Sequence, residues 1–122
     1  MYGFGAKLRP YYKSVSQCFA LNGNYFNPIV EGGVEEIMRL YKDNLKKVKM
    51  HGPTKLSEIL DLAIKYASEE DSLQIKSLTY YILLIITDGG INDFEDTVDR
   101  IVKASTMPLS IVFVGVGEGD ED

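Results

Sequence analysis

The sequence predicts an α/β fold with parallel strands, and three observations carry that expectation. First, Tyr80-Tyr81-Ile82-Leu83-Leu84-Ile85-Ile86 is an unbroken run of seven large apolar or aromatic residues. A strand with one wet face would alternate, so this run reads as a strand covered on both faces. Second, a helical pattern opens near Asn92, and a β-branched-rich run, Leu109 to Val116, follows it. Strand, helix and strand in that order make a βαβ unit, with parallel strands and a right-handed crossover. Third, the first run stops at Thr87-Asp88-Gly89-Gly90. Ligands of open α/β sheets sit at the carboxyl ends of such strands, which makes Asp88 the first candidate functional residue.

The elements follow in order. Tyr2-Gly3-Phe4-Gly5-Ala6 reads as a short strand, and Val15 to Leu21 as a second. On the second, Val15, Phe19 and Leu21 share one face and Cys18 and Ala20 the other. Pro10 lies in the connection, so the two predict a loose hairpin. Asn22 to Gly33 is rich in Asn, Gly and Pro and reads as loop. Val34, Ile37, Met38, Tyr41 and Leu45 then recur at helical spacing. Lys42, Lys46, Lys47 and Lys49 gather near the end of that helix, where the dipole favours cations and the face is solvated. His51-Gly52-Pro53 ends the pattern. A second helix is expected over Lys55–Ser68, with Leu56, Ile59, Leu60, Ala63 and Tyr66 as its stripe and Thr54 as a cap. Glu69-Glu70-Asp71-Ser72 reads as a polar loop. A third helix opens with Asn92 as cap and Glu95 three residues on, a capping-box spacing. Phe94, Val98, Ile101 and Val102 form its expected buried stripe, and Pro108 stops it. Asp93, Glu95, Asp96 and Asp99 read as favourable charge at a helix N-terminus. Tyr11, Tyr12, Tyr80 and Tyr81 read as packing residues. The acidic end, Glu118 to Asp122, reads as a frayed tail.

Composition narrows the functions. With 122 residues the chain is one domain in length, and 45% hydrophobic with 25% charged residues is ordinary for a globular protein. The net charge of −5 speaks against a nucleic-acid partner, because phosphate binding needs a basic face. A metal cation is the more natural guest of an acidic rim. One cysteine, Cys18, makes no internal disulfide and fits a reducing compartment. His51 is the single histidine and lies in a segment unrelated to Cys18, so no nucleophile–base set is expected. Gly115-x-Gly117-x-Gly119 lacks the following helix that a phosphate-binding loop requires. That counts against a nucleotide-handling enzyme. No signal-peptide pattern and no 18-residue apolar run are seen in these residues, so neither a leader nor a membrane span is expected from them. The chain begins almost inside a strand, and a sheet-like strand, Leu109 to Val116, is followed only by a polar tail. The expectation is therefore a piece of a larger domain, with bare strand edges that favour self-association.

Several segments together are similar to one family. They are Tyr2-Gly3-Phe4-Gly5-Ala6, Gly52-Pro53-Thr54, Leu84-Ile85-Ile86-Thr87-Asp88-Gly89, Ile101-Val102-Lys103-Ala104-Ser105 and Pro108-Leu109-Ser110-Ile111-Val112-Phe113-Val114-Gly115-Val116-Gly117. In that order and spacing the chain resembles the von Willebrand factor A-type domain of the copines over its whole length. The resemblance implies a doubly wound α/β fold: a mostly parallel sheet with helices on both faces, here without its first strand and its last elements. It makes residues 1–122 a single partial A domain. It also implies a metal-ion-dependent adhesion site at the carboxyl rim of the sheet, holding Mg2+ or Mn2+. Thr54 matches the threonine of the family's second metal loop, and Asp88 the aspartate of the third. The first loop, Asp-x-Ser/Thr-x-Ser, is absent from these residues. Magnesium prefers an octahedron of oxygens, and one hydroxyl with one carboxylate is a poor cage. Weak binding, or none in this piece, is expected.

Functionally, the resemblance implies a protein-interaction module of a calcium-dependent phospholipid-binding protein, and not an enzyme. Its partners would be proteins. Phospholipid membrane would be reached only through upstream calcium-binding modules absent from these residues, in a parent that is cytoplasmic and joins membranes when calcium rises. The alternative implied by similar plant-type proteins is the A domain of a copine-like ubiquitin ligase, distinguished by a downstream zinc-binding Cys/His cluster.

Overall fold

A computed structural model describes residues 1–24, 26–72 and 79–117. The expected tail at Glu118 to Asp122 lies outside the described residues, as does Gly119. The chain divides into two compact units, Met1–Lys55 and Leu56–Asp122.

In the first unit the expected hairpin forms, but each of its strands is split. Strand β1 (Tyr2–Gly3) pairs antiparallel with β4 (Phe19–Ala20), and β2 (Ala6–Lys7) with β3 (Val15–Ser16). Gly5 makes the break with φ 69, a left-handed conformation that favours glycine. Its N–H still donates to the Ser16 carbonyl at 2.9 Å, and its carbonyl accepts from the His51 N–H at 2.9 Å. The second of these continues a pairing the sequence did not announce: β5 (Lys49–Met50) lies antiparallel against β2. Helix α1 runs Gly33–Lys47, as the periodicity predicts. Glu35 and Glu36 stand in its first turn and Lys46 and Lys47 in its last, both favourable to the dipole. Arg39 bridges Glu36 and Asp43 on its surface. Yet Val34, Ile37, Met38, Tyr41 and Leu45 are all exposed, and α1 has no buried residue.

The second unit holds the βαβ element. Helix α2 (Ser57–Ser72) begins two residues later than expected and runs through the segment read as a polar loop. Strand β6 (Tyr81–Thr87) pairs in parallel with β7 (Leu109–Gly115) in register Tyr81↔Leu109 to Thr87↔Gly115. Helix α3 (Phe94–Ala104) connects them. The core gathers Ile64 and Ala67 of α2, Ala104 of α3 and Leu109 of β7, with Ala63, Tyr81, Leu83, Met107 and Ile111 packed around them. Tyr66, expected in the α2 stripe, is exposed, and its ring stacks on Tyr81 at 6.3 Å between centroids.

Three expectations are corrected here. The strands of the described residues form three sheets, and β6–β7 is the one parallel pair among them. The short connection between β2 and β3 permits only an antiparallel pair, and β1 with β4 continues the same hairpin. Strand β6 is not covered on both faces: Tyr81, Leu83 and Ile85 are turned towards the helices, while Ile82, Leu84 and Ile86 are exposed. Both helices of this unit pack on the same side. Of the stripe expected on α3 only Ile101 is half-buried; Phe94 is 66% exposed, Val98 and Val102 are exposed as well, and Thr97 and Ala104 are the buried residues. Small side chains at those positions let α3 approach α2 closely, which turns the larger ones outward.

Candidate functional site

Asp88 follows the last residue of β6 and is exposed. The end of the strand is pinned before it. The Val116 N–H donates to the Thr87 carbonyl at 2.9 Å, so the parallel ladder extends to the final residue of β6. Gly89 then turns away with φ 131, a conformation strained for any other residue. Asp88 is thus presented at the carboxyl end of a parallel strand, the position where α/β sheets hold ligands.

Thr54 lies in the first unit, half-buried, in the segment between β5 and α2. Its loop is held by Gln17, which is only 6% exposed. Gln17 donates from Nε2 to the Pro53 carbonyl at 2.7 Å, and its Oε1 accepts from the Lys55 N–H at 3.2 Å. One amide thereby grips the residues on both sides of Thr54. Thr54 is not the helix cap, because α2 starts at Ser57. Thr54 and Asp88 belong to different units, and each is fixed within its own.

The cap of α2 is supplied by a carboxylate. Asp93 Oδ1 accepts from the Leu56 N–H and Oδ2 from the Ser57 N–H, both at 3.0 Å. Oδ1 also accepts from the buried Thr97 hydroxyl at 3.2 Å. Asp93 is at the same time the residue before α3, in place of the expected Asn92, and makes no side-chain cap there. Burial raises the Asp93 carboxyl, but hydrogen bonds from Leu56, Ser57 and Thr97 outweigh it and hold it below the usual carboxylate value.

Gln17 and Asp93 are the residues whose positioning roles the sequence reading missed. Gln17 sits in a strand-like stretch, and Asp93 among acidic neighbours that suit a helix start. Their partners lie 36 to 38 residues away, so no local pattern marks them.

The hydroxyl of Thr54 and the carboxylate of Asp88 are each hard oxygen donors of the kind a divalent cation takes. Among the described residues no group of three His, Cys, Asp or Glu side chains could hold a metal ion. No helix of the described residues is long and apolar enough to cross a membrane.

The comparisons with known proteins agree on one family. The copine family model matches residues 1–122. Copine-A of Dictyostelium discoideum is 42% identical over 120 residues, covering 98% of this chain and 19% of that protein. Protein BONZAI 2 of Arabidopsis thaliana is 46% identical over 119 residues, covering 98% of this chain and 20% of the relative. Protein BONZAI 1 of the same plant is 45% identical over the same length. The chain therefore spans about a fifth of the length of the curated relatives it matches. Matched from its first residue to its last, the chain belongs to the copine family.

Proposed function

We propose that these residues are part of a von Willebrand factor A-like protein-interaction domain, doubly wound in its complete form, that binds partners and does not catalyse a reaction. The observation that carries this reading is the copine family match over residues 1–122, joined to a parallel strand pair whose carboxyl end presents Asp88. Asp88 and Thr54 are the residues of this chain that would hold Mg2+ or Mn2+ in the complete domain. Asp88 contributes the charge and Thr54 a neutral oxygen; the remaining ligands come from outside these residues. The cation would supply a Lewis-acidic point to which a carboxylate of a protein partner attaches. Calcium-dependent phospholipid binding belongs, on this reading, to other modules of a cytoplasmic parent protein.

The test is isothermal titration of Mg2+ and Mn2+ into a domain extended to include the first metal loop. Asp88→Ala removes the binding heat, and Thr54→Ala weakens the affinity, because each takes one oxygen from the cation. An unchanged isotherm for Asp88→Ala refutes the assignment.

A further inference from the structure

The net charge of −5 conceals a division along the chain. Residues 1–55 hold nine Lys and Arg against four Asp and Glu, a net of +5, whereas residues 56–122 hold four against fourteen. Five of the nine cations gather around Tyr11 and Tyr12. Arg9 donates from Nε to the Tyr12 hydroxyl at 2.9 Å, and that hydroxyl donates to the Lys47 carbonyl at 3.3 Å. The Lys49 Nζ lies 4.5 Å from the Tyr12 ring centroid, and the Lys13 Nζ 5.4 Å from that of Tyr11. Lys7 and Lys49 are cross-strand partners on β2 and β5, so their side chains leave the sheet on one side. Arg9, Lys13, Lys47 and Lys49 are exposed. Tyr12 holds the group together with φ 49, a left-handed conformation uncommon for a bulky side chain. Among the described residues none of the five cations has a carboxylate partner. Arg39 takes Glu36 and Asp43, and Glu35 stands in the first turn of α1, away from Lys47 in its last.

We propose that this cluster docks an acidic peptide segment of a protein partner, whose carboxylates pair with Arg9, Lys13, Lys47 and Lys49. It rests on the protein-interaction reading above and uses residues other than Thr54 and Asp88. Lys and Arg are almost never fully buried without partners, so this surface faces water in the complete domain as well. Like charges directly opposite on a sheet are destabilising, and an anion beside Lys7 and Lys49 removes that cost. Two features favour a peptide over a larger polyanion. A membrane or a nucleic acid presents extended negative charge to the acidic residues 56–122 too, whereas a short segment meets the cations alone. The rings of Tyr11 and Tyr12 each already carry a cation, where a nucleobase would need a bare ring to stack on.

Fluorescence anisotropy of a labelled Glu/Gly peptide, titrated with the 122-residue chain in EDTA, reads this directly. The chain binds the peptide, a Gln/Gly analogue does not bind, and the affinity falls as salt rises. Lys47→Glu with Lys49→Glu weakens binding by about tenfold, as loss of two exposed ion pairs and gain of two repulsions predicts. If that variant loses the far-UV circular dichroism of the parent, Lys13→Glu replaces it, and weaker binding by a folded variant supports the proposal. Lys103→Glu changes the net charge as much as Lys13→Glu does, in the other unit, and leaves binding unaltered. No binding by the parent overturns the proposal, as does an equal loss for Lys103→Glu. Tighter binding to phosphatidylserine vesicles or to single-stranded DNA than to the peptide also overturns it. EDTA removes any cation bound through Thr54 and Asp88, so failure here leaves that reading standing, and failed Mg2+ titration leaves this one.

Discussion

Asp93 shows how one side chain can organise a unit. A helix leaves its first N–H groups without internal partners, and capping side chains normally come from the residue just before it. Here the carboxylate arrives from 36 and 37 residues along the chain. Removing it strands two partly buried N–H groups and the Thr97 hydroxyl. Asp93→Ala is expected to cost about 1–3 kcal/mol in urea denaturation. The pH dependence follows from the direction of the shift. The carboxyl is lowered in the folded state, so its contribution is complete above the unfolded value of about 3.9 and fades as pH falls through the lower folded value. Asp93→Asn is expected to flatten that acid limb of the stability profile while leaving part of the cap in place. Gln17 works on the same principle around Thr54. Neither residue was legible in the sequence, because a distant polar partner leaves no local trace. Asp88 was legible, since a carboxylate between an apolar run and two glycines marks a strand end without reference to anything remote.

At the scale of elements, periodicity located all three helices and the long strands, and misjudged which sides are buried. Helix α1 matches its pattern almost residue for residue, because the left-handed Gly32 before it and the extended Val48 after it set clear limits. Helix α3 holds two overlapping stripes. Phe94, Val98 and Val102 make the more hydrophobic one, and Thr97, Ile101 and Ala104 the one that meets the core. Hydrophobicity favours the first, whereas close approach to Ala67 of α2 favours the second. Helix α2 overran its expected end because a polar segment reads as loop when its neighbours are unknown. These contrasts are measurable. Leu60, fully buried, is expected to cost about 2–5 kcal/mol when changed to alanine. Val98→Ala, at a position 40% exposed, is expected to cost less than about 1 kcal/mol. Thermal or urea unfolding of the two variants checks the order, and equal losses would mean that α3 packs on the other stripe.

On the scale of the whole molecule, the order of the elements was more legible than the pairing of the strands. The α/β class was readable from the order of strand, helix and strand. The division into separate sheets was not, because pairings two residues long leave too little sequence to carry a signal. Strand β6 also bears a hidden ambiguity. Inward Tyr81, Leu83 and Ile85 and outward Ile82, Leu84 and Ile86 are chemically interchangeable. A slip by one position would still bury only hydrocarbon and aromatic rings, so the middle of the strand does not choose its own alignment. That choice falls to its two ends, the hydroxyl clasp of Tyr80 with Ser110 and the amide of Val116 on Thr87. Whatever loosens either clasp frees the strand to slide, and Asp88 moves with it.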